Sequence, residues 1–426
     1  MGVIAAVVGV TSAALVWWTT SQPRGPRPPA ALPVRAFLAV LPFANLSGDQ
    51  TQEYFSDGIT EDIIAALGRF PDLSVVGHEA VRRYKTKAPP PGELNRDLGV
   101  RYILEGTVRR DGDRVRVTAQ LLDAPNGRPL WSDQYDGELK DLFAVQDEIT
   151  RSVVGALAIK LIGLETERSF AKPTDNLEAY EYVLRGREYL ATGTDQATSE
   201  ARSLFDRAIR LDPAYASAYA ALGWTWLLAA EAGWTEFRVD ALQKAEHLAA
   251  KAIGLDYGNA EAHALLGRVY LNRGQYAAAS NEQARALALN PSDAATYAAQ
   301  GVLLLFTGHP KEAIDPFETA MRLNPGGSRD KFFKAGAGWA YYLVQRYDDA
   351  VRVLERDATN SQDDYYIYAG LAAAYAELGR HADASRSAAA VLKAWPFFEV
   401  DTFVVQFSGG ENQARIGDGL RKAGLK

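Results

Sequence analysis

Four pairs of residues recur at one interval. Gly267 and Gly301, Ala279 and Ala313, Ala286 and Ala320, and Pro291 and Pro325 each lie 34 residues apart. A fixed period of this length describes one short supersecondary unit copied along the chain. Each copy is too small to bury its own apolar face, so it must stack on the next. Within a copy the order is a large apolar residue, Leu-Gly, an aromatic, Ala, then Ala, as in Tyr219, Leu222-Gly223, Trp226, Ala245 and Ala252, with Pro commonly closing the unit. Small residues at helical spacing let two helices approach closely, and a closing Pro cannot continue the second helix.

This order resembles the tetratricopeptide repeat family, and six copies fit between residues 178 and 396. The first carries Tyr182, Gly186, Tyr189, Ala201, Phe205, Ala208 and Pro213; the last carries Tyr368, Leu371, Tyr375, Ala384 and Pro396. The second holds about ten extra residues between Trp226 and Ala245, and the fifth follows a Gly326-Gly327-Ser328 insertion and lacks its terminal Pro. Insertions map to turns, so the stack should continue through both. Residues 397–426 are expected to cap it, with Ala414, Ile416 and Leu420 on one face of a helix between Asn412 and Leu425.

Residues 34–170 follow another rule. Phe37-Leu-Ala-Val-Leu-Pro-Phe43 reads as a buried strand, and Phe55, Ile59, Ile63 and Leu67 recur every fourth residue as the stripe of an amphipathic helix. Leu73 to Gly77 reads as a second strand, followed by helix up to about Leu98. Val115, Val117, Ala119 and Leu121 alternate with Arg114, Arg116, Thr118 and Gln120, the period of a half-exposed strand. Asp111-Gly112 and Asn126-Gly127 mark tight turns joining strands near 101–110, 113–123 and 128–136 into an antiparallel meander. A helix from about Leu139 to Leu161, with Leu142, Val145, Ile149 and Val153 on one side, closes the domain. The fold class is therefore an α/β domain followed by an all-α solenoid.

The α/β stretch resembles the TolB-type amino-terminal domain, related to FlgO-like domains. The resemblance lies in Leu38-Ala-Val-Leu-Pro-Phe-Ala-Asn-Leu-Ser47, Phe55-Ser-Asp-Gly-Ile-Thr-Glu-Asp-Ile-Ile64, Leu98-Gly-Val-Arg-Tyr-Ile-Leu-Glu-Gly106 and Phe143-Ala-Val-Gln-Asp-Glu-Ile149. It implies a bacterial protein in which such a domain sits between a membrane segment and tetratricopeptide repeats. Relatives of this kind commonly begin with an adenylate cyclase or winged-helix output domain, for which these residues leave no room.

Between Gly2 and Gln22 no side chain is charged, and Val3 to Trp18 is almost continuously apolar, which predicts a single transmembrane anchor over residues 1–22. A Pro-rich spacer over 23–33 follows. Arg24, Arg27 and Arg35 after the span favour a cytoplasmic chain by charge. The family resemblance instead implies an inner-membrane protein with periplasmic domains, and that placement is the expectation carried forward. A net charge of -7 gives no basic footprint for phosphates, so nucleic acid is not an expected partner. The absence of cysteine excludes thiolate chemistry and disulfides.

No phosphate loop, His-Glu-x-x-His zinc motif or Gly-x-Ser-x-Gly nucleophile turn is present. His78, His247, His263, His309 and His381 are scattered, and Glu53, Asp57 and Glu61, at four-residue spacing, read as a solvated face rather than a cation site. No enzyme activity, cofactor or metal is expected. In tetratricopeptide proteins the first helix of each repeat lines a groove, which assigns Arg187, Trp224, Arg268, Asn272, Phe306, Trp339, Tyr342 and Tyr366 to contact with a protein or peptide ligand. The function expected is that of a membrane-anchored adaptor or sensor in signal transduction. The alternative is the sensory half of a truncated or split adenylate cyclase or transcriptional regulator.

Overall fold

The apolar run at Phe37 becomes strand β1 (Ala36–Val40), an inner strand of a mixed sheet with Leu38, Ala39 and Val40 buried. A computed structural model describes residues 36–157, 174–327, 329–358, 364–407 and 409–426. With β2 (Ala44–Asn45), β3 (Leu73–Val75), β4 (Tyr102–Asp111), β5 (Arg114–Asp123) and β6 (Arg128–Glu138), the sheet order is β3-β1-β4-β5-β6, and β2 adds to β4. β1 is parallel to β3 and β4, whereas β4, β5 and β6 form the expected antiparallel meander. Gly112 and Gly127 take the left-handed conformation at its two turns, with φ of 59° and 67°.

Helix α1 (Glu53–Gly68) crosses from β2 to β3 and buries Phe55, Ile59, Ile63 and Leu67. After α2 (His78–Val81) and α3 (Pro91–Leu98), the meander leads to α4 (Leu142–Ala156). α1 and α4 cover the face formed by Leu104, Val108, Val117 and Leu121. Val81, Leu94 and Leu98 from α2 and α3 pack on Ile103 and Leu122 of the opposite face. The helix expected from Leu139 starts at Leu142 because Leu139–Asp141 winds as a 3-10 turn; its expected end at Leu161 lies outside the described residues.

The repeats are six tetratricopeptide-like hairpins: α5 (Leu177–Leu190) with α6 (Asp195–Leu211), α7 (Ala216–Glu231) with α8 (Arg238–Leu255), α9 (Ala260–Asn272) with α10 (Tyr276–Leu289), α11 (Ala294–Phe306) with α12 (Pro310–Leu323), α13 (Asp330–Leu343) with α14 (Tyr347–Ala358), and α15 (Tyr365–Glu377) with α16 (His381–Ala394). Where the second helix runs into Pro213, Pro291, Pro325 or Pro396, the preceding residue leaves helical geometry, with φ near -138° to -140°. Asn176, Asn259, Asp293 and Asp364 accept backbone N–H bonds at the start of the first helix of repeats one, three, four and six.

Inside the first, fourth and fifth hairpins one contact sets the helix separation. A Cβ on Gly186 would meet the Phe205 ring at 2.3 Å, on Gly301 the Phe317 ring at 2.7 Å, and on Gly338 the Leu354 side chain at 2.6 Å. α17 (Val400–Val404) and α18 (Gly410–Lys422) follow the last hairpin. Ile416 and Leu420 of α18 are buried as expected of a cap, but Ala414 is exposed: it lies two residues from Ile416, away from the packed stripe.

The α/β part and the repeats do not pack as separate bodies. One continuous core runs from Leu38, Ile59 and Val117 through Phe143 to Tyr180, Val183, Leu184, Phe205 and Leu222. α1 crosses α5 so closely that a Cβ on Gly58 would lie 2.4 Å from Leu184.

The membrane anchor expected over 1–22 and the spacer over 23–33 lie outside the described residues. Among the described residues no helix is long and apolar enough to cross a membrane. The placement as a single-pass inner-membrane protein with periplasmic domains is corrected on that finding: none of the described helices supplies a span of the required length and hydropathy.

The turn inside five hairpins uses Gly193, Gly233, Gly274, Gly308 or Gly379 at φ between 68° and 84°; in the fifth, Gln345 stands there at φ 64°. A side chain in this conformation costs about 1 kcal/mol. Gln345→Gly should therefore raise stability by about 1 kcal/mol in urea denaturation. An unchanged or lowered midpoint would show that Gln345 is held there by contacts that repay the strain.

Candidate functional site

Arg187, expected to face a foreign ligand, is already occupied by the chain itself. Its guanidinium lies 3.4 Å from Asp62 and 3.8 Å from Glu61 on α1, and 3.6 Å from Glu261 on α9. The Tyr180 hydroxyl donates to Asp62, the Gln146 amide reaches the same carboxylate at 3.3 Å, and His78 Nδ1 lies 3.0 Å from Glu61. α1 docks here because its side opposite the sheet carries carboxylates while α5 offers Arg187 and Tyr180. Burial lifts the Asp62 and Glu261 carboxyls above their usual range against the pull of Arg187. At Glu61 burial is outweighed by His78, Arg187 and Arg82, which hold its carboxyl low. The carboxylates at Glu53 and Asp57 instead bind Lys85, at 2.8 and 2.7 Å. Among the described residues no group of His, Cys, Asp and Glu could hold a metal ion.

Beyond that contact the first helices of repeats two to six form a concave surface with two cavities. A smaller one, of about 160 Å³, is lined by Trp224, Leu228, Glu231, Arg268, Ala295, Arg329, Phe332 and Phe333. The larger, of about 480 Å³, is lined by residues that include Val302, Leu305, Phe306, Phe332, Tyr365 and Tyr366. Phe332 is shared between them, so the surface runs unbroken from α7 to α15. Trp224, Arg268, Phe306 and Tyr366 line these cavities. Asn272 joins from one side: its amide donates to Glu231 at 2.8 Å, and Glu231 also receives Arg268 through both oxygens, at 2.7 and 3.2 Å. Burial opposes the charge on Glu231, but Arg268, Asn272 and Arg329 outweigh it and hold the carboxyl below its usual range.

Trp339 and Tyr342 are corrected. Both are 0% exposed. Trp339 occupies the position that follows the conserved-spacing glycine, as Trp224, Arg268 and Val302 do in their repeats, but the C-terminal segment folds over it. Its ring lies 5.5 Å from Phe403 and 5.6 Å from Phe407, and the Tyr342 hydroxyl donates to the Arg415 carbonyl at 2.8 Å. These two aromatics hold the cap rather than a ligand.

Leu228, Glu231, Arg329, Phe332 and Tyr365 were not among the expected groove residues. Leu228 and Glu231 lie four and seven residues beyond Trp224, on the same helical face, and that spacing could have found them. Arg329 and Phe332 follow the three-residue insertion before α13, where the 34-residue register shifts and no periodic signal remains.

The sequence model described as tetratricopeptide repeat matches residues 260–293, the hairpin of α9 and α10 with the turn that follows it. A Rhizobium meliloti (strain 1021) protein named "Putative adenylate cyclase 3" is 41% identical over 236 residues, 55% of this chain and 40% of that protein. The human "Tetratricopeptide repeat protein 6" is 27% identical over 188 residues, 44% of this chain and 33% of that protein. The chain thus spans well under half the length of either relative. Among solved structures, Pseudomonas aeruginosa pilF aligns over 52% of this chain and 94% of its own, at 19% identity and a TM-score of 0.42.

Removing Arg187 leaves three carboxylates facing one another. Arg187→Met should lower stability by about 2–3 kcal/mol, less than for a fully buried pair because 24% of the side chain is open. Asp62 and Glu261 titrate above their unfolded values, so they retain protons that the unfolded chain has released. Their contribution is fullest below the unfolded range and is lost as pH rises through the folded value. Without Arg187 both rise further, so the deficit should widen as pH rises from the unfolded carboxyl range towards neutrality. Denaturation curves that stay parallel across this range would show that the guanidinium does not govern the cluster.

Proposed function

We propose that this chain is a non-catalytic protein-interaction module that holds a peptide or protein segment on the concave surface between Trp224 and Tyr366. The observation that carries the reading is the unbroken surface itself. It joins two cavities, is lined by first-helix side chains of repeats two to six, and presents aromatic rings and an arginine, the residue types enriched among binding hot spots. No catalytic step is assigned to these residues. The TolB-type reading of the α/β part belongs to the same proposal: the order of strand, helix, strand, helix and meander agrees with the motifs that suggested it.

A second reading is favoured by the Rhizobium meliloti relative: the chain acts as the sensory part of an adenylate cyclase or related regulator, receiving a ligand for an output domain. The two are compatible, since a sensory part would use the same surface. The DNA in frame before Met1 tests the second reading. A continuing cyclase or winged-helix sequence supports the second, and a stop codon immediately upstream overturns it.

The binding reading is tested by photocrosslinking in cells of the source organism, with a photoreactive phenylalanine at Phe332 on the surface and at Leu392 on α16 as control; both native side chains are exposed. Crosslinked partners are expected from Phe332 and not from Leu392. Equal adducts from both, or none from Phe332, would reject the concave surface as the binding site.

A further inference from the structure

The smaller cavity has an excess of positive charge on a chain whose net charge is negative. Around it Glu231 is the one carboxylate among the lining residues, against Arg268 and Arg329. A further arginine, Arg238, sits on the rim at the start of α8 and donates to Asn272 at 2.9 Å. Arg268 is spent on Glu231 through both oxygens. Among the described residues neither Arg329 nor Arg238 makes an ion pair, so one glutamate is left to balance three guanidiniums.

The walls between these charges are apolar. Val302, Leu305, Phe306, Phe332, Tyr365 and Tyr366 enclose about 480 Å³, room for a large side chain. Resting on the binding reading above, we infer that the occupant is an acidic peptide segment: an aromatic or branched aliphatic side chain enters the larger cavity while neighbouring Asp or Glu side chains meet Arg329 and Arg238. Charge complementarity selects this partner over a basic or neutral one, because a lysine at the same place would face three arginines.

Random peptides displayed on phage and selected against the full chain test this, with Phe306→Ala and the double variant Arg238→Gln/Arg329→Gln as comparators whose thermal melts match the wild type. The wild type should enrich peptides with Asp or Glu beside Phe, Tyr or Leu. A synthesised representative should bind about tenfold more weakly to the double variant and weaken as salt rises, whereas replacement of the same two arginines by lysine should keep most of the affinity. Enriched peptides without acidic excess, still lost on Phe306→Ala, would overturn the acidic partner and leave the binding reading standing. Enrichment indifferent to Phe306→Ala, or none above background, would overturn both.

Discussion

Where a bulky side chain of one helix meets the other helix of its hairpin, the approach is possible because a glycine there presents no Cβ; the sixth repeat has Ala372 at that position instead. The repeats depend on this constraint. Gly186 admits Phe205, Gly338 admits Leu354, and Phe317 is gripped between Gly301 of its own hairpin and Gly336 of the next, a Cβ on the latter reaching the ring at 2.3 Å. The large residue fills the space the glycine leaves, so the pair fixes both separation and register. In the third repeat the partner of Gly267 is Gln283, which is 1% exposed and whose amide oxygen and nitrogen both lack a partner. A polar group at that position weakens the central unit, because an unsatisfied buried amide costs about 1–3 kcal/mol. Its neighbours on either side carry Phe or Ala instead.

Much of this was legible beforehand, because the signals are local. The 34-residue spacing located the hairpins, closing prolines located the ends of second helices, and the two Asp-Gly and Asn-Gly dipeptides located the turns of the meander. The fate of individual groove residues was not legible, because it is decided by segments far away in sequence. Arg187 is claimed by Asp62, 125 residues upstream. Trp339 is covered by Phe403 and Phe407, which come from a segment read only as a cap. Periodicity says which face a residue occupies. It cannot say what else lies against that face.

These two long-range contacts also bound the concave surface. At one end α1 and its carboxylates sit on the first helix of the array; at the other the C-terminal segment lies over the fifth and sixth repeats. What remains open runs from Trp224 to Tyr366, and it combines apolar walls with arginines in excess. The bidentate pair of Arg268 and Glu231 does more than neutralise charge. With Asn272 it fixes the orientation of a guanidinium stem whose cation lies 5.6 Å from the Phe332 ring, so the rim between the cavities is held in shape before anything binds.

The core that runs from the sheet into the first repeat has a consequence for how such a chain can have been assembled. A domain joined by a spacer can be exchanged by recombination as a cassette, since its surface is already complete. Here α1 is finished only by α5, with Gly58 shaped to Leu184 and Asp62 to Tyr180 and Arg187. A foreign array spliced after the sheet would have to bring those side chains with it or leave α1 with an open apolar flank and stranded carboxylates. The ties reach past the first hairpins as well, since the Gly77 N–H donates to the Leu323 carbonyl at 2.7 Å and the Val75 N–H to Ser292 Oγ at 3.1 Å, so a spliced array would have to reproduce those contacts too.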